Sequence, residues 1–206
     1  MAVIGIDPGL AGAIAVLDAH GTLEALADTP TLTLKVQRGT RQVYDVPGMA
    51  ALLRSYAGHQ CHVYIEESQP MPGQGTRSMF TTGYGYGLWI GILASLALPY
   101  TSVRPGIWKR SLALGKDKEA ARWRAMQLYP GADLRLKKHH GRAEALLLAA
   151  YGLRATGGNN AKGVVHGLGT AGDQGLLLPQ CAAWEPRDQN LHRQWHVRHA
   201  GGRTRC

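Results

Sequence analysis

The chain has 206 residues, 45% of them apolar, and a formal charge of +9, which suits one globular domain of ordinary size plus something extra. No apolar run approaches the roughly 18 residues of a membrane helix, so no membrane span is expected, and the opening "MAVIGIDPG" reads as a strand, not a secretory leader. Three scattered cysteines, Cys61, Cys181 and Cys206, argue against a disulfide framework and for a reducing compartment.

Ala2–Asp7 is a mostly apolar run, the mark of a central strand, and "DPGLAG" is turn chemistry. Ala13–Leu17 is a second strand, and His20–Gly21 turns the chain into a third over Thr22–Asp28. A polar, basic loop follows at Lys35–Arg41. Pro47 opens a helix to about Ala57, and His62–Glu66 is a strand. "SQPMPGQGTRSMFTTGYGYG" reads as a long Gly-, Pro- and Thr-rich loop, of a length that is usually functional or mobile. Leu88–Leu98 is a buried helix and Tyr100–Val103 a short strand. Pro105 starts a helical turn to Leu112, and Asp117 caps "KEAARWRAMQLY". The last helix is Arg142–Leu153. Three meandering strands followed by βα crossovers predict an α/β fold, a mixed five-stranded sheet flanked by helices, over residues 1–154.

Residues 155–206 turn Gly-rich and aperiodic, then polar, and read as a disordered tail. His192, His196, His199 and Cys181 have spacing that zinc could use, but without a second ligand pair the solvated tail is the favoured reading. The charge is uneven. Residues 100–154 hold 12 Lys/Arg against 4 Asp/Glu, whereas residues 1–99 hold 5 against 7. A concentrated basic block is expected of a surface that meets a polyanion.

Asp7 ends the first strand, at the edge where α/β sheets place ligands, although Asp-Pro-Gly is also good turn chemistry. Glu66 ends "HVYIE". Alternation along the strand sends Glu66 and Glu67 to opposite faces, so only one can lie beside Asp7. In "HHGRAEALLLAAYG", His140 and Glu144 are one helical turn apart and project together. Glu144 has Leu147, Leu148 and Tyr151 as helical neighbours. A core-facing acid needs a partner, and an arginine salt bridge or a helix-terminus contact would also serve. Together, the two strand-end acids and the helix pair have the layout that binds two Mg²⁺ ions for phosphodiester hydrolysis.

The stretches "GIDPGLAGAIAVLD", "VYIEESQPMPGQG", "GYGYGLWIGIL" and "HGRAEALLLAAYG" together resemble the RuvC-type Holliday junction resolvases, and most of all the plant and algal chloroplast branch, the Monokaryotic Chloroplast family. The resemblance covers about residues 2–154. It implies an RNase H-like fold, a homodimer, a four-way DNA junction as substrate, and paired nicks made with two Mg²⁺ or Mn²⁺ ions per site and no nucleotide cofactor. It places the catalytic, metal-binding set on Asp7, Glu66, His140 and Glu144. Bacterial relatives pair two acids three apart on the last helix, which here would pair Gly141 with Glu144, so His140 takes that role and His139 is a spectator. The resemblance further implies a preference for cutting at a C-C step and a chloroplast nucleoid location, with any transit peptide absent from this chain. A bacterial or phage cytoplasm is the alternative.

On this reading Arg104, Lys109, Arg110, Lys116 and Lys118 meet DNA phosphates, while Arg77, Phe80 and Tyr84 reach the open centre of the junction. Trp89 belongs to the core or a dimer interface, and Trp108 and Trp123 are packing residues, with a place near DNA the alternative for Trp108 beside Lys109. The rivals are another RNase H-like nuclease and a non-catalytic junction-binding protein. An actin-like ATPase is disfavoured because a second phosphate loop is missing.

Overall fold

A computed structural model describes residues 1–70, 73–115, 117–157 and 164–166. The elements run β1 (Ala2–Asp7), β2 (Ala13–Leu17), β3 (Leu23–Asp28), β4 (Thr31–Lys35), β5 (Thr40–Tyr44), α1 (Val46–Arg54), β6 (Cys61–Glu66), α2 (Thr76–Ser95), β7 (Tyr100–Val103), α3 (Pro105–Ser111), α4 (Lys118–Leu128), α5 (His140–Gly157) and β8 (Val164–His166), with a 3-10 turn at Lys137–His139 before α5. The main sheet has the order β3-β2-β1-β6-β7-β8. β1 pairs antiparallel with β2 and parallel with β6, and β6 runs parallel to β7. An antiparallel meander joined to two parallel crossover strands is the RNase H-like arrangement expected from the sequence, and β8 adds a sixth, antiparallel edge strand.

Strand alternation sorts the core into two layers. Ile4, Ile6, Ile14, Val16, Val63 and Ile65 pack with Met49, Leu53, Trp89 and Leu93 on the α1/α2 side. Val3, Ala13, Ala15, Leu17 and Tyr64 face the other way, onto α5 with α3 and α4 beside it. By the same parity Asp7 and Glu66 belong to the α5 face. The helix lies unusually close to the sheet there. A Cβ on Gly5 would meet the Ala145 carbonyl at 2.1 Å, and one on Gly141 would meet the Ala11 carbonyl at 2.1 Å. Glycine and alanine at these contacts let backbone pack on backbone.

Three expectations need correction. The basic loop at Lys35–Arg41 is the turn of a separate two-stranded ribbon, β4–β5. The expected long loop through Gly87 is helical from Thr76 onward, so α2 is a 20-residue helix. Trp123 is 56% exposed instead of packed, with the Arg122 guanidinium 5.2 Å from its ring centroid. Trp89 and Trp108 are fully buried. Helix α5 begins two residues before the expected Arg142 and ends four residues past the expected Leu153, and β8 falls within the stretch read as a disordered tail. The rest of the expected tail, with Cys181, His192, His196 and His199, lies outside the described residues. No helix among the described residues is long and apolar enough to cross a membrane.

Candidate active site

Asp7 leaves β1 into a tight turn, where its Oδ1 accepts from the Gly9 amide at 3.2 Å. Glu66 ends the neighbouring parallel strand, and Glu144 comes down from the first turns of α5, only 7% exposed. The structure brings these three acids together. Burial raises the Glu66 carboxyl to about 7, and the negative charges of Glu144 and Asp7 push it the same way. Like charges confined under a helix penalise each other's ionisation.

Two consecutive residues of α3 offset part of this penalty. The indole Nε1–H of Trp108 donates to Glu66 Oε2 at 2.7 Å. The Lys109 ammonium donates to Glu144 Oε1 at 2.7 Å and sits 5.1 Å from the Trp108 ring centroid. Burial disfavours the lysine's charge, but the Glu144 hydrogen bond and the charges of Glu144, Glu66 and Asp7 prevail, and its pKa is raised. Lys109 was expected among the cations that meet DNA phosphates; its ammonium instead points into the acid cluster. Trp108, expected to pack or, beside Lys109, to lie near DNA, is a hydrogen-bond donor to the site. Neither role has a local sequence signal, because each depends on a contact between residues 35 or more positions apart.

His140 shares the start of α5 with Glu144, and its Nδ1 lies 3.4 Å from the Lys137 carbonyl. His139 is buried, with Nδ1 3.7 Å from Asp133 Oδ1. Glu67 points the other way and pairs with Arg104 at 3.3 Å, which fits the strand alternation. Arg142, from the basic block, is committed to structure. It binds both Asp28 oxygens at 2.6 and 2.8 Å and Asp133 at 2.8 Å, tying the end of β3 to α5.

Among the described residues, no group of three or more His, Cys, Asp or Glu side chains is arranged to hold a metal ion. The donors nonetheless suit a hard divalent cation. They are carboxylate oxygens crowded until one resists ionising, with the Lys109 ammonium among them.

Beside the acids, Tyr44 anchors a row of rings. Its hydroxyl hydrogen is shared between the Pro8 carbonyl at 3.2 Å and the Thr81 carbonyl at 3.4 Å. Burial and the Asp7 charge push its phenol up to about 12. Tyr84 meets the Tyr44 ring edge-on with centroids 6.0 Å apart, and Phe80 lies parallel to Tyr84 at 6.2 Å. Phe80 and Tyr84 are 73% and 51% exposed, one helical turn apart on α2. Arg77, Arg104 and Arg110 are also exposed. Lys116 and the Lys118 side chain lie outside the described residues. Tyr86 turns inward, and its hydroxyl lies 2.7 Å from that of Ser102 in β7.

No protein-family profile matches the chain. Over 128 residues it is 38% identical to the chloroplastic Holliday junction resolvase MOC1 of Chlamydomonas reinhardtii. The chain is similar to a chloroplast resolvase. The match covers 60% of this chain but 14% of that protein. Among solved structures, Thermus thermophilus RuvC bound to a Holliday junction substrate aligns at 17% identity and TM-score 0.48, covering 77% of this chain and 97% of that one. Another T. thermophilus RuvC structure aligns at 14% identity and TM-score 0.44, covering 76% and 97%.

Proposed function

We propose that this chain is a Holliday junction resolvase, an endonuclease that selects four-way DNA junctions and hydrolyses phosphodiester bonds in two opposed strands. The observation that carries the reading is the convergence of Asp7, Glu66 and Glu144 at the ends of two parallel strands beneath α5, beside an exposed row of aromatic rings. Similarity to the algal resolvase supports the substrate.

Asp7, Glu66 and Glu144 would hold Mg²⁺ or Mn²⁺, two ions per site, with His140 as a further ligand or as the group that orients the attacking water. Bound there, the cations would supply Lewis-acid activation of the water and charge stabilisation at the scissile phosphate. The chain's own groups do the positioning. Trp108 holds one oxygen of Glu66, and Lys109 neutralises Glu144. Phe80 and Tyr84 offer ring faces to bases unstacked at the branch point. Arg77, Arg104 and Arg110 take phosphates, as do Lys116 and Lys118 on the same reading. A homodimer would present two such sites to the two opposed strands, with a preference for a C-C step. The algal relative's name supports a chloroplast location, and the nucleoid is where its DNA would be met.

The test is cleavage of an end-labelled four-way junction beside a linear duplex of the same arms, in Mg²⁺ and in EDTA. Paired symmetric nicks in the junction alone, lost in EDTA and in Asp7→Asn with binding kept, are expected. Equal cutting of both DNAs would replace this reading with a general nuclease. Tight binding without cutting in Mg²⁺ or Mn²⁺ would leave a junction-binding protein and overturn the catalytic assignment.

A further inference from the structure

The β4–β5 ribbon forms its own two-stranded sheet, of which only the last residue, Tyr44, takes part in the site described above. Leu32 faces Val43 and Leu34 faces Arg41 across the ribbon, and cross-strand partners share a face. One face therefore carries Leu32, Leu34, Val43 and Arg41, and the other Thr33, Gln42, Lys35 and Thr40. Leu32, Leu34 and Val36 are 50%, 47% and 46% exposed. A lone two-stranded ribbon is marginal in water, so one that exposes both faces gains most from a partner.

Charge identifies the partner. Residues 29–44 contain three cations, Lys35, Arg38 and Arg41, and no acid. All three are exposed. The ribbon is also rooted at the candidate active site. Tyr44, its last residue, bonds to the carbonyl of Pro8, which follows Asp7, and to Thr81 of α2. A Cβ on Gly85 would meet the Tyr44 hydroxyl at 2.0 Å, so α2 closes tightly on this root. An open hollow there is lined by Leu10, Tyr44, Gly75, Arg77, Ser78 and Thr81. Arg77 at the root and the three cations of the ribbon are all exposed. Five-residue strands reach about 17 Å from the root, and the roughly 12 Å major groove of B-DNA admits a two-stranded ribbon.

We infer that the β4–β5 ribbon grips a duplex arm of the DNA substrate, entering a groove with Lys35, Arg38 and Arg41 on the flanking phosphates. This rests on the proposed function and adds a contact to it outside the acid site. The leucine face beside Arg41 meets sugars and thymine methyls.

The experiment compares wild type with a Lys35→Gln/Arg38→Gln/Arg41→Gln variant by equilibrium binding to a labelled four-way junction over a salt series. Each lost phosphate contact lowers the log–log salt slope by about 0.9, so a drop of about 2–3 is expected. Affinity at moderate salt should fall at least about tenfold. The unfolding midpoint should be unchanged. An unchanged slope with wild-type affinity would remove the ribbon from the DNA interface while leaving the resolvase reading intact. Failure of the wild type itself to bind junction or duplex would remove the DNA reading, and the ribbon's role with it. A Leu32→Ser/Leu34→Ser variant, run in sedimentation, covers the remaining occupant. Loss of a dimer there, with the salt slope of the triple variant intact, would assign the ribbon to a second copy of this chain and overturn the proposal.

Discussion

Replacing Glu66 by glutamine should stabilise the metal-free protein at alkaline pH and barely affect it in acid. The folded carboxyl titrates near 7 against a usual 4.5, chiefly because it is buried and secondly because Glu144 and Asp7 stand beside it. Below about pH 4.5 both folded and unfolded chains keep this proton, and the group contributes no difference. Between about 4.5 and 7 the unfolded chain releases it first, so native stability falls as pH rises. Above 7 the loss is complete. Two and a half units at about 1.36 kcal/mol each give about 3 kcal/mol. Glutamine cannot ionise and keeps an oxygen for the Trp108 indole, so Glu66→Gln should gain about 3 kcal/mol over wild type at pH 8. The assay is urea unfolding of both proteins in EDTA at pH 4.5, 6 and 8. Groups remote from the cluster titrate alike in both and cancel, whereas Glu144, Asp7 and Lys109 are coupled to Glu66 and their response belongs to the measured difference. A difference that stays flat with pH, or a variant less stable than wild type at pH 8, would show that the three acids do not share the buried environment described above.

Trp108→Phe keeps a buried ring but removes the donor to Glu66. It should cost about 1.5–3 kcal/mol, the scale of a hydrogen bond to a charged group, and move the Glu66 titration further up in carboxyl-carbon NMR. Phe80→Ala and Tyr84→Ala alter exposed rings, so unfolding midpoints should hold within about 0.5 kcal/mol. Junction affinity measured by fluorescence anisotropy should drop by about 1–3 kcal/mol per ring if each stacks on a base. Gly141→Ala sets a methyl against the Ala11 carbonyl. Thermal or urea unfolding should show a loss of about 1–3 kcal/mol, typical of overpacking.

Strong periodicity made much of this molecule readable from its residues. The apolar runs at Ala2–Asp7, Ala13–Leu17 and His62–Glu66 are strands, and alternation alone separates Glu66 from Glu67. Two elements were obscured by composition. "TLTLK" alternates as a strand should, but two of its five positions are threonine and it runs into the basic stretch Lys35–Arg41, so it does not stand out as a strand. The start of α2 carries Gly83, Gly85 and Gly87, poor helix formers in isolation. Gly85 is required there by tertiary packing, because the Tyr44 hydroxyl occupies the space of a side chain. The acids announce themselves by position, but Trp108 and Lys109 do not. Nothing local distinguishes an inward lysine from the outward ones around it, since the choice is made by Glu144, 35 residues later.

The backbone-on-backbone seat of α5 against β1 also determines what kind of variation the acid cluster can absorb. At Gly5 itself no side chain separates the strand from the Ala145–Ala149 stretch of the helix. The gap is therefore set by the radii of main-chain atoms, which mutation leaves alone. Changes among Ile4, Ile6, Trp89 and Leu93, on the opposite layer, can raise or lower overall stability without shifting Glu144 relative to Asp7. The crowding of the carboxylates is expressed as a proton retained by Glu66 and as the Lys109 ammonium hydrogen-bonded to Glu144.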